Sequence, residues 1–171
     1  LAAGCMVNGM SPVLAVLIGL VIGLLFGGFN GVCIAYARIP AFITTMATVN
    51  IARSIALIYT GGYPISGLPK SFSYLGTGTV GFIPVPVIIA ILVVVIGFVI
   101  LKRTVLGRYI YAIGGNEEST AMSGINVKKW KLSVYAIHGV LTAVAGLVLA
   151  ARMNSGQPNA ADGIELNIIA A

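Results

Sequence analysis

The sequence predicts an all-α fold, a polytopic bundle of transmembrane helices. Composition is the first reason: hydrophobic residues make up 58% of the 171 residues before the 22 glycines are counted, and charged residues only 8%. Mean hydropathy is +1.04. The apolar residues also fall in long runs with basic residues at their ends. A soluble domain is about 45–50% apolar with glycine included and about 25% charged, so this chain cannot cover a water-facing surface. Disorder needs low hydrophobicity and high charge. A disulfide scaffold needs more than Cys5 and Cys33. The net charge of +6 therefore reads as membrane orientation and not as nucleic-acid binding.

A helix needs about 20 apolar residues to cross about 30 Å of hydrocarbon. The first predicted span runs from Pro12 to Ala37 without a charge, and the second from Pro40 to Thr60, interrupted by Arg53. The third, Val85 to Leu101, is short, and the fourth runs from Leu132 to Ala151. A fifth is expected to begin near Leu166. Leu1 follows no basic n-region and cleavage site, so the start does not read as a signal peptide. The end, Asn167 to Ala171, is still apolar, so the chain reads as a single transmembrane domain, 1–171, that is a piece of a longer membrane protein.

Two long polar stretches separate the spans. Residues 61–84 are rich in Gly, Pro, Ser, Thr and Tyr and carry one charge, Lys70. Residues 102–131 carry Lys102, Arg103, Arg108, Lys128, Lys129 and Lys131, against Glu117 and Glu118. The positive-inside rule places 102–131 in the cytoplasm. Alternation then puts Arg38 inside, and 61–84 and 152–165 outside. Seven basic residues fall inside and two outside, with Arg53 within a span.

Gly19, Gly23, Gly27 and Gly31 repeat every four residues and form a stripe without side chains on the first span. Such a stripe lets another backbone approach closely. Packing within one subunit, a subunit interface and a pathway lining all use it. Gly139, Ala143, Gly146 and Ala150 make a similar face on the fourth span. Polar groups within hydrocarbon are costly and mark candidate sites. Asn30, Thr44, Thr45, Asn50 and Arg53 are the candidate substrate-pathway residues. Thr48 lies among them, though a threonine can bond its own helix backbone. Asn50 and Arg53 share a face, and a structural role for Arg53 stands beside a pathway role. His138 stands alone in the fourth span and is expected to be a hydrogen-bonded packing residue, with a proton carrier as the alternative. No carboxylate lies in the four complete spans, which weighs against an ion-coupled carrier.

Gly76 to Gly81 spells GxGxxG, but that motif needs a βαβ unit. Here Pro84 and Pro86 follow at once, so 76–81 reads as a glycine-rich loop. No GxxxxGK[ST], HExxH, GxSxG or paired Cys/His spacing is present, so no catalytic, metal or cofactor-binding residues are assigned.

The stretch from Gly107 to Lys129 encodes a short helix. Asn116 suits its N-cap. Glu117 and Glu118 fall in the first turn, where the helix dipole favours negative charge. Gly124 suits the left-handed position after its end, and Gly114 and Gly115 are expected to leave the approach to it flexible. A capped two-turn helix between spans reads equally as a plain connector.

The pattern Leu106 to Asn116 followed by Ser123-Gly124-Ile125-Asn126-Val127-Lys128 resembles the cytoplasmic loop of permease subunits of bacterial ATP-binding-cassette sugar importers, the ribose/xylose/arabinose/galactose branch. Phe26 to Gly31, Ile39 to Thr44, Tyr59 to Gly62 and Ala151 to Pro158 resemble that family too, so the resemblance covers essentially the whole chain. It implies a multi-pass protein of the bacterial inner membrane that moves a pentose or hexose inward and hydrolyses nothing itself. It implies a second permease subunit, commonly identical, and a periplasmic sugar-binding protein. ATP would be used by a separate cytoplasmic ATPase, whose groove would take Gly115, Asn116, Glu117, Glu118, Ala121, Met122, Ser123, Gly124 and Ile125. It assigns no pathway residue and no particular sugar. Two alternatives predict different behaviour: an ATP-independent secondary transporter or channel for a small polar solute, and a scaffold that only presents residues 102–131.

Overall fold

The computed structural model describes residues 1–160 and Gly163. The expected fifth span near Leu166 lies outside the described residues. Elements follow in the order α1 (Ala2–Val7), α2 (Pro12–Ala35), α3 (Ala41–Thr60), β1 (Ile65–Ser66), α4 (Lys70–Thr77), β2 (Thr79–Val80), β3 (Ile83–Pro84), α5 (Val85–Arg103), α6 (Val105–Gly115), α7 (Glu117–Met122), α8 (Val127–Met153) and β4 (Ser155–Gly156). Among the described residues, α2, α3, α5 and α8 are long and apolar enough to cross a membrane. The chain is an all-α, multi-pass membrane protein.

Local chemistry sets the helix ends. Pro12 opens α2, where its missing N–H costs nothing, and Gly61 ends α3 in the left-handed conformation. The third span reaches Arg103, two residues further than the apolar run suggests. Lys102 and Arg103 sit in its last turn, where cations complement the dipole. At 19 residues and 1.5 Å per residue, α5 is about 28 Å long. The fourth span starts at Val127, not Leu132. Asn126 Oδ1 accepts the Lys129 N–H at 3.2 Å, so the lysines are helical. Over 27 residues α8 is about 40 Å long, more than hydrocarbon requires.

Two expectations change here. The 61–84 stretch is folded: it holds α4, the antiparallel β2–β3 hairpin, and β1, which pairs with β4 antiparallel. Gly114 and Gly115 are helical at the end of α6 and make no flexible approach, because the chain turns only at the extended Asn116, φ −155°. The GxGxxG run divides between the end of α4 and the hairpin turn, which fits no nucleotide.

A close backbone approach along several turns joins α2 and α8, which run antiparallel. A Cβ placed on Gly23 would lie 2.5 Å from the Gly139 carbonyl oxygen and 2.6 Å from the Ala143 methyl. One on Gly27 would lie 2.9 Å from the Gly139 Cα, and one on Gly31 3.0 Å from the Leu132 Cα. At Gly19 the nearest atom, on Leu147, is at an ordinary 3.4 Å, and at Gly146 nothing is near. The seam is tight from Gly23 to Gly31 and relaxes beyond. At the end away from Lys102, Arg103 and Lys128, Ala3, Met6, Ala15, Leu68, Phe72 and Ala151 form the compact core, with Phe72 only 2% exposed. No residue of α5 is buried.

Gly27→Leu is expected to destabilise the fold by about 1–3 kcal/mol, because overpacking must push α8 away. Gly28→Leu, where no atom lies within 4 Å, is expected to change stability little. Reversible unfolding of both variants in mixed micelles measures the difference.

Candidate functional site

Two regions gather polar and exposed groups. The first is a cleft of about 870 Å³ running along α2, with α3 and α8 as its walls. Pockets of about 300–1,000 Å³ are the usual size for small-molecule sites, mostly apolar with a few placed polar groups. This one fits that description. Asn30 on α2, Thr45 and Thr48 on α3, and Tyr135, His138 and Thr142 on α8 are side chains with polar groups in its lining.

Thr48 is buried, and its Oγ1 lies 2.6 Å from Asn30 Oδ1 and 2.9 Å from the Thr44 carbonyl oxygen. One hydroxyl proton faces two acceptors, so it is shared, or the Asn30 amide is turned to donate to Thr48 instead. Either way the contact ties α2 to α3 at the cleft floor. Thr45 donates to the Ala41 carbonyl at 2.9 Å, which leaves its oxygen lone pairs for a ligand. His138 is exposed to the cleft and does not pack, contrary to the packing expectation. Its Nδ1 lies a long 3.5 Å from Thr142 Oγ1, and Thr142 donates to the His138 carbonyl at 2.9 Å.

The predicted pathway residues therefore separate. Asn30 and Thr45 line the cleft. Thr44 is buried and donates to the Pro40 carbonyl at 3.3 Å. Asn50 is exposed and donates to the Met46 carbonyl at 3.1 Å, away from the cleft lining. Arg53 is half-buried and also outside that lining. Sequence reasoning missed Thr142, whose signal was its place one turn after His138 on the same face.

The second region is α7 at the basic end. Asn116 caps it: the Ser119 N–H donates to Asn116 Oδ1 at 2.9 Å. Gly124 follows in the left-handed conformation, φ +81°. Thr120, buried on the inner side, points its hydroxyl at the Ala112 carbonyl of α6 at 2.9 Å and the Asn116 carbonyl at 2.7 Å. Lys131 of α8 pairs with Glu117 at 2.5 Å. The pair is partly exposed, so it contributes little to stability, and its value is positional. Tyr109 of α6 also meets Trp130 of α8, ring centres 4.7 Å apart. α7 is thus fastened to both neighbours, while Gly115, Glu118, Ala121 and Ser123 are exposed, Ile125 is half-exposed and Met122 is 82% exposed. Sequence reasoning missed Thr120 and Lys131, which are visible only once α6 and α8 are folded beside α7.

Residues 1–171 match the family model described as branched-chain amino acid transport system / permease component. Among curated proteins, the chain is 45% identical to the ribose import permease protein of Haemophilus influenzae, over 99% of this chain and 54% of that one. It is 43% identical to the ribose import permease protein of Bacillus subtilis, over 100% of this chain and 54% of the relative. It is 38% identical to the L-arabinose transport system permease protein of Escherichia coli K12, over 83% and 43%. The chain spans about half the length of the ribose permeases it matches. No solved structure matches it.

A double-mutant cycle of Asn30→Ala and Thr48→Ala is expected to give a coupling of about 0.6 kcal/mol, the average for hydrogen bonds between membrane helices. Additive single effects in reversible unfolding would show that the two side chains do not interact.

Proposed function

Because the chain belongs to the family described as branched-chain amino acid transport system / permease component, we propose that it is the membrane-spanning part of an ATP-driven sugar importer. The proposal comprises a monosaccharide, a pentose or hexose, moved inward across a bacterial inner membrane. The curated relatives named for ribose and L-arabinose support a sugar over an amino acid. The partners in this reading are a cytoplasmic ATPase, a second copy of the permease and a periplasmic sugar-binding protein. The chain itself binds no cofactor and catalyses no reaction; ATP is spent by the ATPase subunit.

The observation that carries the reading is α7. A six-residue helix would be marginal alone in water. Here it is capped, stitched to α6 through Thr120 and paired to α8 through Glu117 and Lys131, with Met122 left in the open. A helix held so firmly while exposing a large apolar side chain suits a partner's groove, since methionine is enriched in interface cores. A push on its outer face reaches α8 directly. For ATP to drive the change, the ATPase must contact α7 differently in its two states; contact alone does nothing. In the cleft, Asn30, Thr45, Thr48, His138 and Thr142 offer hydrogen-bonding groups to sugar hydroxyls along an apolar trough.

The test uses the full-length protein co-expressed with its ATPase. Ala121→Arg combined with Gly124→Pro, and separately Met122→Ala, are compared with wild type. Loss of ATPase co-purification and of sugar-stimulated ATP hydrolysis in the double variant is expected. Met122→Ala is expected to weaken both by roughly 10-fold, the scale of a truncated interface anchor. Wild-type behaviour in both variants, or sugar uptake without any ATPase, overturns the reading in favour of an ATP-independent carrier or channel.

A further inference from the structure

The β2–β3 hairpin presents an apolar tip that no other element among the described residues covers. Its two strands pair Thr79 with Pro84 and Val80 with Ile83, leaving Gly81 and Phe82 as the turn. Gly81 adopts φ +63°, as two-residue hairpin turns require. Phe82 is 104% exposed, Val80 58% and Ile83 49%. The hairpin is not a loose loop. Tyr74 of α4 donates through its hydroxyl to the Thr79 carbonyl at 3.2 Å. The Val85 N–H donates to the Gly78 carbonyl at 2.9 Å, closing the hairpin onto the first turn of α5. A Cβ on Gly78 would lie 2.6 Å from the Tyr74 ring, so the base of the hairpin is close-packed.

Position fixes what meets this tip. α5 is about 28 Å long and hydrocarbon about 30 Å thick, so α5 uses all its length to cross. Lys102 and Arg103 hold its other end at the opposite surface, which leaves Val85 at the hydrocarbon boundary. The tip is three residues from Val85, no more than about 10 Å away at strand spacing. The headgroup layer is about 5–7 Å deep on each side. Residues 71–101 carry no charge, so nothing in the hairpin opposes contact with lipid. The exposed apolar surface of α5, from Val87 onward, continues into it through Ile83.

We infer that the β2–β3 hairpin is a membrane-interface anchor: Phe82, flanked by Val80 and Ile83, lies in the headgroup–acyl boundary of the leaflet at the N-terminal end of α5. Exposed Phe and aliphatic side chains gain by burial in the headgroup–acyl boundary, which anchors the segment that carries them. The anchor would hold α4, which packs on α8 with Gly76 against the backbone of Ala151 and Arg152, at a set height. The inference rests on α5 spanning the bilayer and not on the identity of the solute.

The test places Phe82→Trp in the full-length protein with all other tryptophans, Trp130 included, replaced by Phe. The protein is reconstituted in vesicles of phosphatidylethanolamine and phosphatidylglycerol brominated near the glycerol end of the acyl chains. Loss of half or more of the emission to the brominated lipid, with little quenching by acrylamide, is expected. Strong acrylamide quenching places the tip in water, and protection from both places it against protein; either overturns the inference. A nitroxide on Phe82→Cys gives a second reading in unchanged lipid. Greater collision with oxygen than with a water-soluble nickel chelate is expected, and the reverse order also overturns it.

Discussion

The structure depends on one contact without side chains, the seam of Gly23 and Gly27 on α2 against Gly139 on α8. Lipid gives apolar helices no reason to leave it for one another, so close fit supplies the attraction. The seam makes α2 and α8 one unit, and α8 is the element that reaches everything else. Its start holds Trp130 against Tyr109 and Lys131 against Glu117. Its end meets α4 and leads into the β4 strand that pairs with β1. A displacement at α7 therefore has a stiff path across the membrane. That path also forms one wall of the cleft.

The distribution of polar groups follows the same plan. Basic residues collect at the end where α2 finishes, α5 finishes and α8 begins, and Lys128 stacks over Tyr36 there at 5.7 Å. The compact core around Phe72 sits at the other end. Between them, hydrogen-bonding side chains appear along the trough between α3 and α8, and α5 stands apart with no buried residue. The result separates three surfaces: the exposed apolar face of α5, the polar-lined trough, and the exposed outer face of α7.

The fold class, the approximate spans and the capped α7 were legible because each rests on local signals: long apolar runs, basic flanks, Asn116 before two glutamates and Gly124 after. The glycine repeat was legible as a bare face, but the helix that approaches it was not, since that depends on how α8 folds back. Proline- and glycine-rich composition made residues 61–84 look like a plain loop, yet Phe72 and Leu75 turn inward there and fold α4 onto α8. The pathway residues were the least legible. Asn50 and Arg53 are as polar as Asn30, and only the rotation of α3 about its axis decides which side chains meet the cleft. His138 was misjudged for the same reason: a lone polar residue looks like packing until the space beside it is known.

If the trough along α2 is the route of the solute, substituted-cysteine accessibility will report it. In the full-length protein with Cys5 and Cys33 replaced by Ser, single cysteines at Ala52 and Thr142 face the trough, while one at Val94 on α5 faces lipid. A water-soluble thiol reagent should modify the first two and not the third, and the transported sugar should slow that modification. Modification of Val94→Cys in place of the trough positions, or trough cysteines whose reaction no sugar affects, would exclude the trough as that route.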